Sequence, residues 1–234
     1  MKREIIIGIT DCVSYANYEK WFADNHGIKT QRLSYKDNSF DKIKTCHGVV
    51  LSGGEDVHPR FYNKKEYIEY CDDIDERRDE FEWRVLDHTE SKNIPVLGIC
   101  RGLQMANVYF GGTLIPDIPS FGKYNHSKFP SEDRYHDITV DPNSMLARIT
   151  GSEHGRINSS HHQSSGLTGK GLVANSFSPD GIVEGIERRD PSDKPYLLLV
   201  QWHPERMLPQ ESAFSKSIRE SFLDAVRASE DVKL

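Results

Sequence analysis

Apolar and polar positions follow two patterns along this chain. Short apolar runs at Glu4–Thr10, His47–Leu51 and Pro95–Ile99 read as strands, with Lys29–Ser34 a weaker fourth. Between them lie longer stretches with helical spacing. Tyr15–Asn25 closes at Gly27, and Asp75–Lys92 carries Phe81, Val85 and Leu86 on one face. Alternation of strand and helix predicts a parallel sheet with helices on its faces. The second half changes character. Asp137–Val140, Gly171–Phe177, Ile182–Glu187 and Tyr196–Gln201 read as strands separated by turns, Pro179-Asp180-Gly181 among them. This predicts hairpin or meander pairing beside the parallel core. Glu211–Arg227 reads as an amphipathic helix with Phe214, Ile218, Phe222, Leu223 and Val226 on one stripe. Gly122–Asp133 is polar and predicts a surface loop bordering the site. With no repeat, low-complexity tract or linker, residues 1–234 are expected to form one domain. Its fold class is α/β, a three-layer sandwich with a mostly parallel central sheet and antiparallel strands in the C-terminal half.

Composition narrows the function. The 234 residues are 28% charged and 36% hydrophobic, with a formal net charge of −6. No long basic run supports nucleic-acid binding. No segment approaches about 18 consecutive apolar residues, so no membrane span is expected. The N-terminal residues read as a first strand rather than a signal peptide. Cys12, Cys46, Cys71 and Cys100 show no disulfide or zinc-knuckle spacing. A cytoplasmic protein with reduced thiols is the simplest expectation.

The densest chemical signal is Ile94–Gln104. An apolar run ends at Gly98, Cys100 follows, Gly102 comes next, and an amphipathic segment begins with Leu103, Ala106 and Val108 facing inward. This is the glycine-bracketed nucleophile elbow, with cysteine in place of serine. A helix N-terminus there lowers a thiol pKa and offers N–H groups to an oxyanion. Such a nucleophile needs a base and an orienting group. Both occur in Gln201-Trp-His-Pro-Glu205, directly after a predicted strand. His203 is the expected base and later acid, and Glu205 the group that fixes its imidazole. Ser52-Gly53-Gly54 also follows a strand. Its glycines allow close backbone approach, so it is the expected second oxyanion donor beside the Arg101 N–H.

Two further clusters carry weaker signals. Asn158–Gln163 packs six polar residues together and reads as a substrate-facing loop. Metal binding is not expected there: adjacent histidines seldom both reach one ion, and no acidic or cysteine partner lies at helical spacing. Asp75–Glu82 reads as the solvated, acidic opening of a helix. The alternative is that Arg78 or a nearby carboxylate points back toward the active site.

Several segments, in order, resemble one family. They are Leu51–Pro59, Gly98–Gln104, Phe110–Leu114, His161–Gln163, Ser178–Glu184 and Gln201–Glu205. Together they resemble the class I glutamine amidotransferase-like hydrolases, whose fold is flavodoxin-like, and within them the γ-glutamyl-γ-aminobutyrate hydrolase or peptidase C26 branch. The resemblance covers about residues 4 to 225. It implies a hydrolase of linear amide C–N bonds, in which Cys100 attacks a γ-glutamyl amide and a γ-glutamyl thioester is released by water as glutamate. It implies an oxyanion hole from the Gly54 and Arg101 N–H groups. It places Gly53, Gln104, His161, His162 and Gln163 against the glutamyl end, and it needs no metal or organic cofactor. Pro116 stands where relatives often carry glutamine, and Asn63 where glycine is common. Both are expected near the pocket rim, where they bear on the leaving group.

Two other readings remain at this point. One is a glutaminase subunit passing ammonia to a separate synthase. The other is a non-catalytic binding protein on the same fold, against which the intact Cys100, His203 and Glu205 argue. The expected ligand is a small γ-glutamyl molecule. The protein partners left open are a second copy, in a homodimer, and a synthase.

Overall fold

The computed structural model describes residues 4–23, 25–37 and 39–231. The first half runs β1 (Ile5–Thr10), α1 (Tyr15–Ala23), β2 (Ile28–Leu33), β3 (Gly48–Leu51), α2 (Glu76–Lys92), β4 (Val96–Ile99) and α3 (Arg101–Tyr109). The second half runs β5 (Leu114–Ile115), β6 (Arg134–Val140), α4 (Met145–Thr150), β7 (His154–Ser159), β8 (Ser164–Ser165), β9 (Leu172–Phe177), β10 (Val183–Arg188), β11 (Leu197–Val200) and α5 (Lys216–Asp231). The reading of the chain start as leaderless rests partly on Met1–Arg3, which lie outside the described residues, as does position 24 of the predicted first helix. Among the described residues, no helix is long and apolar enough to cross a membrane.

One mixed sheet organises the chain, in the order β2-β1-β3-β4-β11-β10-β9-β6-β7. The strands from β2 to β11 are mutually parallel. From β11 onward, pairing is antiparallel. A short β5–β8 pair joins through β8 to β10. Both expectations, a parallel core and antiparallel strands in the C-terminal half, are met. Strand β11 is the pivot of the topology: although last in sequence, it sits beside β4, in register Leu199 to Gly98 and Val200 to Ile99. Strands β3, β4 and β11 are buried at every position. That is the pattern of a sheet covered on both faces.

Two apolar layers do the covering. One packs α1 and α5, with Tyr18, Phe22, Ile218 and Phe222, against Ile7, Ile9 and Leu198. The other packs α2 and α3, with Val85, Leu86 and Leu103, against Val49, Leu51 and Leu199. Three-layer packing follows directly. Gly48 is required by this packing, because a Cβ there would lie 2.5 Å from Val226 Cγ2 and 2.9 Å from Phe222 Cζ.

Some boundaries differ from expectation. The last helix begins at Lys216 rather than Glu211, and Phe214 is buried just ahead of it. In that lead-in, Ser215 Oγ donates to Pro204 O at 2.6 Å and accepts from Trp21 Nε1 at 3.1 Å. Tertiary hydrogen bonds to Trp21 and Pro204 thus hold the lead-in where the first helical turn is expected. Four elements, β5, α4, β7 and β8, escape the sequence pattern. Strand β7 alternates weakly, with a buried inner half and a polar outer half.

Phe222 touches both Phe22 and Tyr196, at ring-centroid distances of 6.3 and 6.1 Å. Phe222→Ala should lower the stability of the fold by about 3–5 kcal/mol. Equilibrium urea denaturation of wild type and variant checks this.

Candidate active site

The carboxyl ends of the neighbouring strands β3, β4 and β11 deliver Ser52–Glu55, Cys100 and Gln201–Glu205 to one place. Ligand sites of open α/β sheets form at such ends. A cleft of about 370 Å³ opens there, lined by Tyr18, Gly53, Gly54, Cys100, Ser160, His203 and Arg206, with Glu55, Asp56, Asp72 and Asp73 on its acidic side.

Cys100 stands between β4 and α3 with φ 53° and ψ −106°, a conformation costly for a residue with a side chain. Its backbone is clamped: its N–H donates to Val200 O at 2.8 Å, and its carbonyl accepts from Leu103 and Gln104 N–H groups at 3.0 and 3.3 Å. Steric need explains the bracketing glycines. A Cβ on Gly98 would lie 2.6 Å from Leu199 Cδ2, and one on Gly102 would lie 2.3 Å from Leu51 O.

His203 and Glu205 meet as expected. Glu205 Oε1 lies 2.9 Å from His203 Nδ1, and both residues are buried. Burial pushes the imidazolium pKa down, but the charges of Glu205 and Cys100, and hydrogen bonds to both, outweigh it and hold His203 up to about 10. Asn158 fixes the backbone of His203 from both sides. Its Oδ1 accepts the His203 N–H at 3.0 Å, and its Nδ2 donates to His203 O at 3.1 Å. Gly53 lies against both side chains: a Cβ there would lie 2.8 Å from His203 Cε1 and 3.4 Å from Cys100 Cβ. The Gly53 N–H is taken by Tyr18 Oη at 2.8 Å. Gly54 is left as the glycine whose N–H is uncommitted among the described residues. Its φ of +153° favours glycine, and a Cβ would lie 2.0 Å from Arg78 Nη1.

The charge run at the start of α2 corrects the solvated-face reading. Arg78, Asp79 and Glu82 are buried and point into the protein. Arg78 Nη2 donates to Gly53 O at 2.9 Å and Ser52 Oγ at 3.1 Å, its Nε donates to Glu82 at 3.0 Å, and its Nη1 pairs with Glu55. Arg101, the first residue of α3, pairs with Glu82 and Asp79. Burial opposes the charge on Arg78, but Glu82 and Glu55 outweigh it and raise its pKa. Burial raises that of Asp79, against the pull of Arg101.

The residues expected against the glutamyl end divide. Gly53 lines the cleft, whereas Gln104, His161, His162 and Gln163 are not among its lining residues. Gln104 Nε2 donates to Gln163 O at 3.1 Å. His161 turns into a buried cluster with His126, His136 and Glu184, a set of donors that could hold a metal ion. His162 turns the opposite way, its Nε2 2.9 Å from Asp56 Oδ1 and its Nδ1 3.3 Å from Asp117 Oδ1. Ser160 is the member of this segment that reaches the cleft. Neither Pro116 nor Asn63 lines it. Asn63 has φ 57°, a left-handed conformation that asparagine tolerates.

Sequence reasoning missed Tyr18 and Asn158 as a clamp, and it held the inward set of Arg78 and its neighbouring carboxylates only as the alternative to a solvated face. A signal for the last existed: Arg78 and Glu82 share the helical stripe of Phe81, Val85 and Leu86.

Comparison with known proteins bears on this site. The family model described as Peptidase C26 matches residues 6–205. A Schizosaccharomyces pombe protein with a provisional glutamine amidotransferase name is 38% identical over 167 residues, covering 70% of this chain and 64% of that protein. The γ-glutamyl-γ-aminobutyrate hydrolase PuuD of Escherichia coli is 29% identical over 187 residues, covering 76% of this chain and 71% of that protein. Among solved structures, a Thermoplasma acidophilum protein with a provisional GMP synthase name superposes with a TM-score of 0.70 at 16% identity. That match covers 100% of this chain and 99% of the other, and it shows a shared fold.

Arg101→Met should cost about 3–5 kcal/mol, because it leaves buried carboxylates with one fewer cation. Urea denaturation measures the loss. His162 supplies a pH signature. Hydrogen bonding to Asp56 outweighs burial and raises its pKa from 6.5 to about 9 in the folded protein. Its stabilising contribution is therefore complete below about pH 6.5 and disappears as pH rises through about 9. The stability difference between wild type and His162→Gln should shrink across that window, as read from urea midpoints at several pH values.

Proposed function

Because the chain belongs to the peptidase C26 family, whose relatives carry hydrolase and glutamine amidotransferase names, we propose that it is a cysteine-dependent hydrolase of γ-glutamyl amides. The observation that carries this reading is the Cys100–His203–Glu205 constellation at the mouth of three adjacent parallel strands, with Cys100 held at φ 53°. In this reading Cys100 Sγ attacks the side-chain amide carbon. His203, raised by Glu205 and Cys100, holds the proton of the sulfur and delivers it to the leaving amine. N–H groups of Gly54 and Arg101 receive the oxyanion. The resulting γ-glutamyl thioester is cleaved by water, with His203 as base, and glutamate leaves. Glu205 keeps the imidazole oriented throughout.

A second reading is a glutaminase subunit that passes ammonia to a separate synthase. The amidotransferase name of the S. pombe relative favours it. The protein would then act in the cytoplasm beside its partner. The two readings share every catalytic step and differ in the amine released.

Glutamate release from γ-glutamyl-γ-aminobutyrate and from glutamine, measured side by side, separates them. Strong preference for the former is expected, and activity on glutamine alone would favour the glutaminase reading. Cys100→Ala should abolish turnover with the fold retained; full activity in that variant would defeat the nucleophile assignment. Iodoacetamide should label Cys100 first. Burial pushes the thiol pKa of Cys46 to about 12, that of Cys71 to about 11, and that of Cys12 upward. Peptide mapping of the labelled protein tests the order.

A further inference from the structure

Beside the cleft, four side chains from distant parts of the chain converge on one point that no catalytic step uses. His126 comes from the loop before β6, His136 from β6, His161 from the segment after β7, and Glu184 from β10. His126, His161 and Glu184 are buried, and His136 is mostly so. Their inward atoms have no hydrogen-bond partner: His126 Nδ1, His136 Nε2, His161 Nε2, and both oxygens of Glu184. Buried polar groups are normally satisfied, and each orphan is costly. Five such atoms facing one another need a common partner.

Geometry identifies the partner. Glu184 Oε1 lies 3.3 Å from His126 Nδ1, 3.4 Å from His136 Nε2 and 3.8 Å from His161 Nε2. The edges of a tetrahedral zinc site with metal–ligand bonds of about 2.0–2.1 Å are about 3.3 Å. All four donor atoms lie within 4.8 Å of one another, so modest ring rotations close the set around an ion. The outer ring nitrogens complete the pattern. His161 Nδ1 lies 2.9 Å from Gln163 O, His136 Nδ1 lies 3.1 Å from Asp137 O, and His126 Nε2 lies 3.3 Å from both carboxylate oxygens of Asp180. Metal-ligating histidines typically donate their far N–H to a carbonyl or carboxylate, which leaves the near nitrogen lone pair free for the ion. Asp180 is itself held by Ser178 Oγ and the Tyr124 N–H.

We propose that His126 Nδ1, His136 Nε2, His161 Nε2 and the Glu184 carboxylate bind one divalent transition-metal ion, and that Zn²⁺ is the ion this set of three nitrogens and one oxygen suits. Four protein ligands make the site closed and structural. The ion fastens the loop carrying His126 to β6, β10 and the segment that carries Ser160 to the cleft. The proposed site departs from the sequence expectation of no metal, which rests on the adjacency of His161 and His162. The two rings turn apart, and the other ligands come from three further segments that local spacing cannot reveal.

Protein purified without chelators should contain about one zinc per chain by atomic absorption. Metal-free protein titrated with Co²⁺ should show the visible d–d bands of a tetrahedral site and no thiolate charge-transfer band. Added Zn²⁺ should raise the melting temperature of wild type. His136→Gln and Glu184→Gln should lose the bands and the shift, whereas Cys100→Ser should keep both. Absence of cobalt bands and of a zinc-induced shift in wild type would overturn the proposal. So would a thiolate band that vanishes in Cys100→Ser, because the ion would then sit on the triad. Should either ligand variant fail to fold, the wild-type cobalt spectrum and the Cys100→Ser control still decide.

Discussion

The buried ion cluster of Arg78, Arg101, Asp79, Glu82 and Glu55 is the constraint on which the site depends. Taking charges out of water is costly, and the cost is offset only when each charge meets opposite charges and hydrogen bonds at close range. Arg78 meets it by donating to the carbonyl of Gly53 and the hydroxyl of Ser52, and Arg101 by pairing with two carboxylates of α2. The same contacts join the loop after β3, the start of α2 and the start of α3. These three pieces come from separate parts of the chain, yet they share one electrostatic solution. A shift of any one would strand a buried charge, so the segments that carry the two expected oxyanion donors are tied to one another through α2.

The remaining half of the site is organised by the main chain and by side-chain hydrogen bonds. Cys100 is clamped through its N–H and its carbonyl, and His203 through Asn158. Asn158 is in turn tied to Asp133, which pairs with Arg206 on the cleft wall. Strand β11 links the two halves, since it is parallel to β4 on one side and antiparallel to β10 on the other. The cleft thus lies where the parallel and antiparallel parts of the sheet meet, with Cys100 held from the parallel part and His203 from the antiparallel part.

Much of this arrangement is legible in the order of residues alone. Short apolar runs ending in glycine locate β3 and β4, because a strand buried on both faces has no polar positions to confuse it. Cys100, His203 and Glu205 are legible because each sits at a strand end within a few residues of its partner or its bracket. The failures have two causes. Arg78 and Glu82 look like surface charges when residue type is weighed above position on the helix. His126, His136 and Glu184 have no local pattern, because the distances that unite them arise only when β6 and β10 enter the same sheet. Asn158 and His161 are visibly polar, but whether a side chain faces ligand or protein depends on neighbours far away in sequence.

The glycines around Cys100 divide the elbow into parts of unequal tolerance to evolutionary change. A single methyl group at position 98 or 102 would collide with the main chain or with a core leucine. The sulfur at position 100, by contrast, could become the smaller oxygen with no added steric demand. Chemistry on this scaffold is thus easier to lose than shape. A lineage could drift from catalyst to receptor by one atom, keeping its cleft, its charge cluster and its fold, and the glycines would persist as a record of the reaction that the cleft once served.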